Sequence, residues 1–178
     1  GTIWYDLVMN SGLVGSGAVS VNTGKVRDRR VLRFDSSPAL MVEVERLVAS
    51  EQQGKLRMSG NWTLGQNRGH LAAWVKFGFE GTPLQPPWIV KGVLRLMKNR
   101  LLNKGYLRVR EFLQVESGTL ATDRLSTEAG LVVFRSAWTR LEAGAPSIPT
   151  PVFGPMTHQE WRKMHLHHAE LHLSFLHP

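Results

Sequence analysis

Six of the chain's seven histidines fall in its last stretch, "MTHQEWRKMHLHHAELHLSFLHP": His158, His165, His167, His168, His172 and His177. A neutral imidazole offers a lone pair to a transition metal or carries a proton, so spacing decides what such a run can do. On a helical wheel with Trp161 at zero, His165 falls near about 40°, His168 near about 340° and His172 near about 20°. Those three share the apolar stripe with Met164 and Phe175. His168 and His172 are one turn apart and can aim their ring nitrogens at a single point, as two ligands of a divalent ion must. A core pair joined by hydrogen bonds would have the same spacing. His167 falls near about 240°, off the stripe, and His158 and His177 lie at the helix ends, where exposure is the expectation.

The remaining histidine, His70, is followed at i+4 and i+7 by Trp74 and Phe77, which puts it on a largely apolar side of its own helix. One nitrogen from that helix and two from the last make a three-histidine set with an open coordination position. The chain has no cysteine, which excludes disulfides, thiolate nucleophiles and cysteine ligands; a metal here would be held by nitrogen and oxygen. Glu170 falls near about 180° on the wheel, away from the stripe, so no acid stands beside the histidines as a base.

Helices must position these side chains, and the sequence marks four long ones. "FDSSPALMVEVERLVASEQQG" has Ser37 as N-cap, Pro38 at the first helical position, Leu40, Val44, Leu47 and Val48 at amphipathic spacing, and Gly54 as the stop. "GNWTLGQNRGHLAAWVKFGFEG" starts on Thr63 and Gln66 in capping-box spacing and ends by Gly81. A third helix begins near Ser126, offers Leu131, Phe134, Trp138 and Leu141 to the core, and stops at Gly144. The fourth begins at a second capping box, Thr157 with Glu160, where Met156 can staple onto Trp161. Between the second and third, Pro83, Pro86 and Pro87 break the chain before a shorter helix that runs into an irregular basic insertion. Four long helices without a clear alternating strand predict an all-α, up-and-down four-helix bundle.

At 178 residues and 42% hydrophobic, the chain is expected to form one domain with a real core, spanning 33–178. The segment 1–32 reads as a flexible leader, or as the remnant of an export signal: Asp6 is its only charge before Lys25. An exported or periplasmic location is expected, with a cytoplasmic one as the alternative. Twenty-two Lys and Arg against fourteen Asp and Glu give a net charge of +8. Seven of the cations lie in 91–110 without an acid between them, which suits an anionic surface. No nucleic-acid motif accompanies the charge, so specific nucleic-acid binding is not expected.

The segment "NWTLGQNRGH" resembles the start of the second helix in the DinB-like (YfiT-like) metal-binding four-helix bundles. "FGPMTHQEWRKMHLHHAELH" is similar to the fourth-helix signature of an uncharacterised exported branch of that superfamily. The resemblance covers roughly Arg33 to Pro178 and implies that His70, His168 and His172 are metal ligands, with His165 a pocket residue or alternate ligand. Trp74 and Trp161, on the same apolar sides as the histidines by helical spacing, are expected pocket residues. It departs from better-studied relatives after the last histidine, where "LSF" replaces a Gly-Gln pair.

What the resemblance implies is a metal-dependent hydrolase or thiol-dependent transferase acting on a small-molecule substrate. Three imidazoles suit zinc, nickel, copper and iron alike, and of these divalent transition metals zinc or nickel is the expected one. The alternative is a non-catalytic bundle that holds a ligand or partner. A homodimer is the expected assembly, if there is one.

Overall fold

The computed structural model describes residues 21–83, 87–104 and 123–178 and is mostly helical. In chain order the elements are α1 (Ser37–Gln52), β1 (Arg57–Met58), α2 (Leu64–Glu80), α3 (Trp88–Leu96), α4 (Lys98–Lys104), α5 (Thr127–Ala143), α6 (His158–Leu173) and β2 (Leu176–His177). The leader's first twenty residues and the insertion from 105 to 122 lie outside the described residues. No helix among those described is long and apolar enough to cross a membrane.

Local chemistry sets the helix ends. Thr63 with Gln66 and Thr157 with Glu160 both form reciprocal capping boxes, so two backbone N–H groups are satisfied at each start. At the start of α1 the cap is Ser36, not Ser37: the Ser36 hydroxyl accepts from the Ala39 N–H. Ser37 is the first helical residue and donates instead to Glu142 on α5. Gly81 ends α2 at φ 90°, a conformation that only glycine adopts without strain.

α2 and α5 form the most extensive pair and touch backbone to backbone: a Cβ on Gly130 would lie 2.7 Å from the Gly65 carbonyl oxygen. Leu40, Val44 and Leu47 of α1, Leu71 and Val75 of α2, Phe134, Trp138 and Leu141 of α5, and Ala169 and Leu173 of α6 fill the core. Each such Leu or Phe contributes roughly 1.5–3 kcal/mol by leaving water. Val48 and Leu131 pack at its edge, partly exposed.

The last helix departs from the amphipathic expectation. From Met164 to Leu173 every residue of α6 is buried, polar ones included. Two features cover its outer side. Residues 29–34, placed in or next to the leader by sequence, run against it: Arg30 N–H donates to the Ser174 carbonyl, Arg29 reaches the Leu171 carbonyl, and Phe34 N–H donates to Glu170. α4 packs on another face, where the Leu102 carbonyl meets His167. The end of the chain is also tied down, because β2 pairs antiparallel with β1, matching Arg57 to His177 and Met58 to Leu176. His177 is therefore half-buried rather than frayed. His158, another expected surface residue, is half-buried with its Nε2 against the Leu141 carbonyl.

Candidate metal centre

His70 sits two turns into α2, on the side that meets α6. His168 and His172 share one side of α6, four residues apart, as the wheel requires. The three rings meet: their nearest nitrogens all lie within 4.8 Å of one another. His70 Nε2 and His168 Nε2 are 3.3 Å apart. All three rings are buried, at 1%, 7% and 6% exposure respectively.

Burial drives the imidazoles of His168 and His172 well below their usual pKa, and the neighbouring histidines push them further. Both are neutral near pH 7, the state in which imidazole donates a lone pair. His172 Nε2 is buried without a hydrogen-bond partner. A buried nitrogen with no partner, beside two others, is the kind of group that an ion satisfies.

The spacing fits a metal as well. At metal–nitrogen distances of about 2.0–2.1 Å, two ligands of a tetrahedral ion stand about 3.3–3.4 Å apart. The His70–His168 pair already has that separation. The third nitrogen, from His172, lies within 4.8 Å of the other two. Without an ion, one of the two Nε2 atoms must carry a proton and donate to the other, because two facing lone pairs repel.

Aromatic rings hold the histidines in place. Trp62 stacks on His172 at 5.2 Å with 4° between planes and tilts against His70 at 4.8 Å. Trp74 meets His168 edge-on at 5.4 Å. Sequence reasoning placed Trp74 beside the site but passed over Trp62. Its signal was its position just before the Thr63 cap, from which a side chain folds back along the first turns of the helix. Asn67 anchors that approach by donating to the carbonyls of Trp62 and Thr63.

Trp161 and His165 lie together one turn below. Their rings stack at 5.7 Å, and Trp138 meets His165 at 6.2 Å. His165 is buried, neither ring nitrogen has a hydrogen-bond partner, and burial lowers its pKa to about 3. It is close enough to disfavour a charge on His168, yet it does not join the three rings whose nitrogens converge.

His167 is buried too, contrary to its off-stripe reading, but both of its nitrogens are engaged, with Glu170 at 3.0 Å and the Leu102 carbonyl at 2.9 Å. No lone pair remains there for an ion. Glu170 points away from the three rings, as the wheel requires, into a buried contact with His167, Arg33 and the Phe34 N–H. Burial raises its pKa, but those three partners outweigh it and hold the carboxyl below its usual range. Among the described residues the converging set contains imidazoles alone.

A mostly helical protein with three buried histidines able to hold a metal ion is therefore the class that fold and site define. Over residues 26–178 the chain matches the model of the family described as "Protein of unknown function (DUF1569)". It belongs to that family. No curated protein and no solved structure matches it significantly.

Proposed function

We propose that this chain is a divalent-metal protein of the DinB-like kind, an up-and-down four-helix bundle built from α1, α2, α5 and α6, in which His70, His168 and His172 hold a zinc or nickel ion. The observation that carries the reading is the convergence of three buried ring nitrogens from two helices, with His168 and His172 held neutral by burial. Three imidazoles with an open position suit both of those metals.

An ion bound there would lower the pKa of a water or thiol ligand. Both enzyme readings, thiol-dependent transferase and hydrolase, fit such a site, because coordination by itself would deprotonate a thiol and bring a water to a pKa of about 7. Glu170 is committed elsewhere, so neither reading draws on it as a base. The surrounding residues would supply a dry, aromatic setting: Trp62 and Trp74 fix ring orientation, and His165 and Trp161 line the apolar floor. The non-catalytic reading, a bundle that holds a small molecule on its ion, rests on the absence of an acid from the converging set among the described residues.

Metal content decides the central claim. Untagged protein, loaded with zinc or nickel and dialysed, is expected to retain one ion per chain by elemental analysis. His70→Ala is expected to retain none. Retention by the variant, or no retention by the parent, would overturn the reading. An assay with small thiols and electrophilic or ester substrates then separates transferase, hydrolase and binder.

A further inference from the structure

Helix α3 is built the wrong way round for a helix facing water. Leu94 is its buried contact. The opposite side, at about 100° per residue, carries Trp88, Gly92, Leu96, Ile89 and Val93 in turn. Trp88 is 80% exposed, Ile89 59%, Val93 47% and Leu96 89%. An ordinary solvated helix places its polar residues there. Within Pro87–Leu96 the only polar side chains are Lys91 and Arg95, and both lie on one flank of the apolar face.

The charge around this face is equally one-sided. From Gly81 to Arg110 the chain has no acidic residue. Lys91, Arg95, Arg100 and Lys104 make no ion pair among the described residues, whereas Arg57, Lys76, Arg135, Arg140 and Arg162 each pair with a carboxylate. Lys98 does pair, with Glu160 at 2.8 Å, and Leu101 and Leu102 are buried; together they fasten this region onto the body of the protein.

We infer that α3 is a docking surface for an anionic lipid bilayer, lying in the plane of the membrane with Trp88, Ile89, Val93 and Leu96 in the interface and Lys91, Arg95, Arg100 and Lys104 at the headgroups. The pattern is that of an interfacial helix: an apolar face with tryptophan, a cationic flank and too short a length to span. Charge favours this occupant over a second copy, because two copies meeting through α3 would bring unpaired cations together. It favours lipid over an acidic protein because the outward face has no hydrogen-bonding side chain apart from the Trp88 indole to fix a register, which a fluid surface does not need. The inference is independent of the metal site.

The test is co-sedimentation of the full chain with vesicles of phosphatidylcholine alone or mixed with phosphatidylglycerol, at low and at high salt. Binding is expected only to the anionic vesicles and is expected to weaken with salt. Lys91→Gln and Arg95→Gln should each weaken it about fivefold. Trp88→Ser with Leu96→Ser should abolish it, with helix content and melting unchanged because both side chains are exposed. Equal binding to neutral vesicles, no binding to either, or full binding by the double variant would overturn the proposal. So would light scattering that shows a dimer which the double variant dissolves; that result would assign the face to a second copy.

Discussion

His70 Nε2 lies 3.3 Å from His168 Nε2, although 98 residues separate them along the chain. The distance is set by two helices whose starts are fixed by capping boxes, and it matches the edge of a tetrahedral coordination sphere. Replacing either histidine with alanine should weaken zinc affinity by more than about 100-fold, since two ligands hold an ion poorly. His167→Ala, one residue from His168, should leave affinity within a fewfold while costing roughly 1–3 kcal/mol of stability from its lost buried bonds. Calorimetric titration and denaturant unfolding on the three variants measure both; equal loss of affinity in all three would point to loose chelation by the histidine-rich tail.

Acid should destabilise the metal-free protein earlier than its carboxylates alone would require. His165 has a folded-state pKa of about 3 against an ordinary 6.5, and His168 and His172 are also lowered. Below about pH 6.5 the unfolded chain binds these protons and the folded chain does not, so stability is full above that pH and falls as pH drops. Each group contributes a slope of about 1.4 kcal/mol per pH unit. His165→Leu, which also removes two unpartnered nitrogens, should flatten the profile by one such group between about pH 6 and pH 4. An unchanged slope in urea unfolding across that range would refute the assignment.

Glu170 joins the segment before α1 to the last helix through Phe34 N–H, Arg33 and His167. Glu170→Ala leaves a buried N–H and a buried imidazole without their acceptor and should destabilise the fold by about 3 kcal/mol. Amide hydrogen exchange should show lost protection at Phe34 first. Protection retained there would mean that the segment is held by its arginines alone.

The Gly65–Gly130 contact sets how closely α2 approaches α5. A methyl at Gly130 would press on the Gly65 backbone at 2.7 Å, and backbone cannot move aside. Gly130→Ala should cost roughly 1–3 kcal/mol or more. At Gly69 the methyl meets only the tip of Leu125, so Gly69→Ala should be close to neutral, helix propensity offsetting the adjustment. Thermal melts of the two variants rank them; the reverse order would count against this packing.

Much of this protein was legible in its sequence because the signals are local. Thr63 with Gln66 and Thr157 with Glu160 act within three residues, and the four long helices lie where those caps and the apolar spacing place them. The wheel also grouped His168 with His172 and turned Glu170 away, since helical geometry alone fixes those directions. What it could not supply was the cover. Whether Glu170 and His167 face water or protein depends on residues 29–34 and on Leu102, more than sixty residues distant, arriving at the far side of α6. Ser36 rather than Ser37 caps α1 because Glu142 on α5 engages the second hydroxyl. The meeting of His70 with its two partners is likewise tertiary: spacing aims a side chain, but only the packing of α2 against α6 brings the nitrogens to one point, where burial removes water and leaves all three rings facing one another.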